Sequence, residues 1–180
     1  GGALATTVAE PEIERSRQKP TEKLDAYDYY LRGLAAVESA TKDGNEQARR
    51  LFYKAIEIDP NFALAHAMAA RCFTLRKANG WMADVTNESA ETAKLARRAV
   101  ELGRDDAAVL SRAGYALARV VFEPEEGADL IERALALNPH LSSAWQFGGL
   151  LAAFRGEPET AIEHLAHAMR LSPLDPSLYS

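Results

Sequence analysis

Apolar residues recur along this chain at helical spacing, in stretches punctuated by proline. Between Thr160 and Leu171, Ala161, Leu165, Ala168 and Met169 form a stripe, with polar Glu163, His164 and His167 set off it. Steps of three and four residues put one apolar face on a helix. The stretch Ala144–Phe154, AWQFGGLLAAF, is apolar almost all round, as expected of a helix sandwiched between neighbours. One phrase recurs through the chain: Ala, apolar, any residue, apolar, any residue, then usually Pro. It reads AIEIDP (Ala55–Pro60), AVELGR (Ala99–Arg104), ALALNP (Ala134–Pro139) and AMRLSP (Ala168–Pro173), at intervals of 44, 35 and 34 residues. A second phrase, EPE, stands at Glu123–Glu125 and Glu157–Glu159, also 34 apart. Two independent markers with one period identify internal repeats.

Each marker fits a pair of antiparallel helices. Pro60, Pro139 and Pro173 cannot continue a helix, so each closes the second helix of a unit. Pro124 and Pro158 sit where a helix starts; the first turn loses nothing by a proline, and the adjacent glutamates suit the positive helix end. The pattern predicts an all-α fold, an α-solenoid of about four helix pairs.

Composition agrees. Ala occurs 34 times and Leu 21 times, against 12 Val and Ile together, which favours helices over sheets. The net charge of −5 gives no electrostatic footprint for nucleic acid. One cysteine, Cys72, excludes an internal disulfide framework and a multi-thiolate zinc site. No apolar run approaches the ~18 residues that span a bilayer, so no membrane insertion is expected. The opening GGALATTVAEPEIE lacks a basic leader and does not read as a signal peptide. A cytoplasmic location follows as an expectation, and the missing initiator Met reads as a piece of something longer.

The repeats resemble the tetratricopeptide repeat, W-x₂-L-G-x₂-Y followed by A-x₃-F and P. In residues 142–175, Trp145, Gly149, Ala152, Ala161, Leu165, Ala168 and Pro173 fall in register, with Gly148 where the pattern has Leu. Residues 107–141 keep Ala118, Ile131, Ala134 and Pro139 but carry Ser111 for Trp and Gly127 for Ala. Residues 25–61 keep Gly33, Ala48, Phe52, Ala55 and Pro60, with about three extra residues near Lys42–Asn45. Residues 62–106 carry about ten extra, the KANGWMADVT region, and Arg104 for the closing Pro. The resemblance implies a right-handed superhelix over 25–175, preceded by a linker with a short helix (1–24, around Glu12–Gln18) and followed by the start of a truncated helix (176–180). A narrower resemblance, carried by Glu12–Leu34, Arg76–Trp81 and Met169–Pro176, is to the C-terminal repeat region of bacterial class III adenylate/guanylate cyclase proteins. It implies a non-catalytic accessory region of a larger signalling protein. The alternatives are a cyclase part whose catalytic domain lies outside this chain, and a small-molecule sensor with its ligand under Trp81.

Candidate chemistry is sparse. His164 and His167 share a metal-capable spacing but lack HExxH and a third ligand, so they read as a solvated helix surface. Cys72, beside Arg71, reads as a small buried hydrophobe. Ser142 and Ser143 read as helix capping, and Glu123, Glu125 and Glu126 as a helix opening. No nucleophile, base and oxyanion set is visible, so neither catalysis nor a cofactor is expected.

A stacked array offers a concave groove instead. Projected register puts Tyr30, Arg71, Arg112, Arg119 and Gln146 on it, Arg112 and Arg119 being seven residues apart on one helical face. Arginines converging in an acidic protein favour a protein or peptide segment that is acidic or ends in a carboxylate; their alternative is pairing with neighbouring Asp or Glu. Trp81 either anchors a ligand or covers the ends of its own helices. The last helix lacks a cap, so a homodimer through that edge is expected, or cover by a partner.

Overall fold

The computed structural model describes residues 23–175; the helix expected at Glu12–Gln18 and the segment 176–180 lie outside the described residues. α1 (23–37) is followed by α2 (Lys42–Ile58), α3 (Ala63–Ala78), α4 (Val85–Leu102) and α5 (Ala107–Ala116). A π-helical turn, Leu117–Val121, extends α5; then come α6 (Pro124–Leu137), α7 (Ser142–Phe154) and α8 (Pro158–Leu171). No strand occurs among the described residues. Each of α2, α4 and α6 packs on its own partner and on the next odd-numbered helix, while α3 packs on α5 and α5 on α7. The odd-numbered helices therefore form one layer and the even-numbered ones the other, as a stack of helix hairpins requires.

The repeated closing phrase is a turn with a hydrogen-bond logic. Asp59 and Asn138 end α2 and α6, and their side-chain oxygens accept from the N–H of Asn61 (3.1 Å) and His140 (3.0 Å). Short Asx turns of this kind suit the residue before a proline. The backbone carbonyls of Asp59, Gly103, Asn138 and Ser172 each accept from the N–H three residues on, at 3.1–3.2 Å. Gly103 reproduces the turn where Arg104 replaces proline. The extra residues assigned to the first unit are not a loop: Lys42–Asn45 form the first turn of α2, capped by Thr41 Oγ1 accepting from Gly44 N–H at 3.0 Å. In the second unit longer helices absorb part of the excess, leaving 79–84 as the connection.

Small residues set the helix spacing. Ala48, Ala55, Ala65, Ala96, Ala99, Ala113, Ala116 and Ala134 are fully buried. At the α5–α6 crossing, a Cβ on Gly127 would lie 2.5 Å from the Gly114 carbonyl oxygen, and one on Gly114 would lie 2.7 Å from that of Gly127. Gly127 thus replaces the pattern's alanine because the two backbones meet there. In the π turn the Val120 carbonyl accepts from Ser89 Oγ at 3.1 Å, satisfying a group that the irregular helix frees. Gly148, in place of the pattern's leucine, leaves room for His164: a Cβ there would come within 2.9 Å of its Nδ1.

The α3–α4 connection is pinned by charge. Arg76 donates from Nε to Glu88 Oε2 (2.7 Å) and from Nη2 to Oε1 (3.1 Å). Glu88 also accepts from the N–H of Ala83 (2.9 Å) and Asp84 (3.3 Å). The Arg76 hydrogen bond, helped by those two N–H groups, holds the Glu88 carboxyl down at about 2.

Two outcomes follow. Gly127→Ala forces a rigid backbone apart and lowers the unfolding free energy by about 1–3 kcal/mol, read by urea denaturation; Gly80→Ala meets no neighbouring atom, and its cost is only the left-handed backbone at φ +68°. Glu88→Gln costs about 2 kcal/mol at neutral pH. Because the folded-state value of Glu88 is depressed, its contribution is complete above its ordinary 4.5 and is lost as pH falls toward about 2. Thermal midpoints of wild type and Glu88→Gln measured across that window should converge.

Candidate functional site

The inner layer of odd-numbered helices lines two joined hollows. The larger, of about 750 Å³, is walled by Val37, Glu38, Asn45, Arg71, Leu75, Trp81 and Asp175, among others. The smaller, of about 250 Å³, is lined by two carboxylates, Glu38 and Asp175, as well as by Arg71, Arg112, Gln146 and the apolar Leu34, Val37, Met68 and Phe147. Arg71 belongs to both.

Three of the five residues projected onto the groove meet here: Arg71, Arg112 and Gln146. The Arg71 guanidinium sits 5.7 Å from the centroid of the Phe147 ring, a stacking distance for a cation on an aromatic face. Arg112 donates from Nη1 to the Ala108 carbonyl of its own helix at 3.0 Å. Burial pulls both guanidinium groups below their usual value, and the charge of Arg112 depresses Arg71 further. Neither takes part in an ion pair among the described residues, and neither does Arg119. The remaining arginines of the repeats mostly do, as in Arg49–Glu46, Arg76–Glu88 and Arg97–Glu123. Asp175 and Glu38 bring negative charge into the same lining, and Asp175 acts on Arg71 through space.

Two projected residues lie elsewhere. Tyr30 is only 8% exposed, its ring set against Phe52 (5.9 Å), Phe62 (5.0 Å) and Tyr27 (6.0 Å). It is a core residue; burial raises its hydroxyl pKa, against the opposing charge of Arg112. Arg119 lines neither hollow and lies 4.5 Å from the Phe154 ring centroid. It stands inside the π turn, and the wider turn breaks the seven-residue register with Arg112. Trp81 is half-buried in the wall of the larger hollow, together with residues of the α1–α2 turn and α3.

Other candidates resolve into structure. Cys72 is fully buried and its thiol is pushed up to about 12 by burial. Ser142 is not a cap: Leu141 holds that position, and Ser142 Oγ donates across to the Ala168 carbonyl at 3.1 Å. His164 and His167 are half-buried against Trp145, at 5.0 and 4.3 Å between rings, rather than on a solvated face. No group of three or more His, Cys, Asp or Glu side chains among the described residues is placed to hold a metal. Glu123 and Glu126 open α6 and face Arg97 (2.6 and 3.5 Å). Leu150, Phe154 and Ile162 (70% exposed) leave an apolar edge on the last helix pair. No helix among the described residues is long and apolar enough to cross a membrane.

No protein-family model matches the chain, and no curated protein does. Solved structures do. PilF of Pseudomonas aeruginosa is 26% identical, with a TM-score of 0.62, over 88% of this chain and 66% of its own. The type IV pilus biogenesis factor PilW is 21% identical, with a TM-score of 0.59, over 84% of this chain and 65% of its own. The first tetratricopeptide domain of Spaghetti, bound to the HSP90 peptide SRMEEVD, is 19% identical, with a TM-score of 0.53, over 80% and 95%. The fold is that of a tetratricopeptide α-solenoid, an architecture of protein-interaction scaffolds. This chain spans about two thirds of PilF and of PilW, and nothing in these likenesses connects it to cyclase-type proteins.

Desolvated like charges without a carboxylate partner reduce stability. Arg112→Met should therefore raise the unfolding free energy by about 1 kcal/mol, or the thermal midpoint by roughly 2–4 °C for a chain of this size; a lowered midpoint would make Arg112 a structural residue.

Proposed function

We propose that this chain is a non-catalytic scaffold whose inner wall holds an extended acidic segment of another protein. The observation that carries the reading is the Arg71–Arg112 pair: two guanidinium groups drawn from water into one hollow, without ion-pair partners among the described residues. A carboxylate entering between them restores what burial removed, and charge-assisted hydrogen bonds to Arg are the strong ones. Gln146 and Phe147 in the same hollow supply an amide and an aromatic face. The Spaghetti domain, of like fold, is solved with a peptide bearing two glutamates and an aspartate, which supports acidic segments as occupants of this architecture. The Lys and Asn set that clamps chaperone tails is not reproduced here, so a chaperone tail is not the partner. The mechanism is docking by shape and charge, with no bond made or broken.

Fluorescence anisotropy with fluorescein-labelled octapeptides, one bearing three glutamates and one bearing three glutamines, tests the reading. The acidic peptide should bind more tightly, and binding should weaken as salt rises from 50 to 500 mM through screening. Arg71→Gln with Arg112→Gln should weaken binding at least tenfold, about 1.4 kcal/mol, with the circular dichroism spectrum unchanged. Equal binding of the two peptides, or indifference to the double substitution, overturns the proposal.

A further inference from the structure

We infer that the hollow beside Trp81 is a second recognition site, taking a bulky apolar side chain of the same acidic segment; this rests on the reading of the Arg71–Arg112 pair given above.

Its size comes first. At about 750 Å³ it falls in the range that encloses small ligands, roughly 300–1,000 Å³. Its apolar wall is Val37, Leu75 and Trp81, contributed by three different segments. Trp81 is held in place before any ligand arrives. Its backbone N–H donates to the Arg76 carbonyl at 2.8 Å, and the Arg76 side chain is paired with Glu88, which in turn accepts from the N–H groups of Ala83 and Asp84. A wall fixed in advance spares a ligand the cost of ordering it.

Continuity comes second. Val37, Glu38, Arg71 and Asp175 belong to both hollows, so one extended chain can lay a carboxylate at Arg71 and Arg112 and a neighbouring side chain against Trp81. Asn45 stands in the wall of the larger hollow, 3% exposed; its Nδ2 donates to the Cys72 carbonyl at 3.1 Å while its Oδ1 has no partner. A buried acceptor without a donor is costly, and this one is a cost the fold carries in the wall of the hollow. The occupant is therefore a peptide with an acidic pair two to four residues from a Phe or Leu.

Fluorescein-labelled nonapeptides provide the test, with Glu-Glu and Phe separated by one, two or three serines, together with their Phe→Ser and Glu→Gln counterparts. At the best spacing, Phe→Ser should weaken binding about tenfold, as burial of one large apolar side chain predicts. Trp81→Ala should weaken the Phe peptide by a similar factor and leave the Ser peptide unchanged, and Trp81→Phe should restore most of the loss. Equal effects of Trp81→Ala on both peptides, or none on either, overturn the inference. Phenylacetate binding as tightly as the best peptide would also overturn it, by making the occupant a small organic acid. The two readings fail separately. A Glu→Gln effect without a Phe effect removes this site and keeps the arginine site. A Phe effect coupled to Trp81 without a Glu effect does the reverse, and no binding by any peptide removes both.

Discussion

Everything in this molecule depends on how closely its helices approach. Many fully buried alanines and the Gly114–Gly127 meeting let neighbouring backbones approach closely. Close-packed interiors transmit such local dimensions over distance. The inner layer is consequently tight enough that residues from the end of α1, the middle of α3 and α5, the start of α7 and the chain after α8 all line one hollow. Larger side chains at those crossings would spread the helices and dissolve the hollow.

That tightness sorts the arginines by environment. Those on the outer layer and in the turns find carboxylates and lie partly in water, where such pairs contribute little. Arg71 and Arg112 are carried by inner helices whose shared wall holds Met68 and Phe147 as well as Glu38 and Asp175, and neither guanidinium takes part in an ion pair among the described residues. Burial pulls both groups below their usual value, so their charge is carried at a cost. Methionine or leucine there would spare the fold that cost, which is the cost the proposed acidic segment would offset.

The fold was legible because its punctuation is chemical. Proline and Asx turns at a fixed period, and alanine stripes between them, have few alternative solutions. The inner wall was legible only in part, because register projection assumes a regular helix. It holds for Arg71, Arg112 and Gln146. It fails for Arg119, because the π turn at Leu117–Val121 inserts a wider turn that no residue pattern announces. It fails for Tyr30 because three aromatic rings converge on it from α1, α2 and the turn before α3, a convergence set by tertiary packing. Phe147 was unreadable as a wall residue: its apolar character fits core equally well, and only the Arg71 guanidinium over its ring distinguishes the two. The histidines misled for a related reason, since a polar residue beside Trp145 looks like surface until the tryptophan is seen to lie on it.

The α3–α4 connection carries the remaining physics. Helix pairs need only two or three residues to turn, as at Phe122–Glu123 and Arg155–Glu157. The residues 79–84 exceed that need, and long connections lose more conformational entropy on folding. Here the entropy is opposed by a half-buried Arg76–Glu88 pair with two backbone N–H groups on the same carboxylate. The arrangement holds the second half of the connection through Ala83 and Asp84. The Trp81 backbone N–H on the Arg76 carbonyl holds the first half, and Trp81 lines the larger hollow from there. The longer connection therefore has its own hydrogen-bond support, and its effect on the fold is to set an aromatic side chain into the same wall as Arg71.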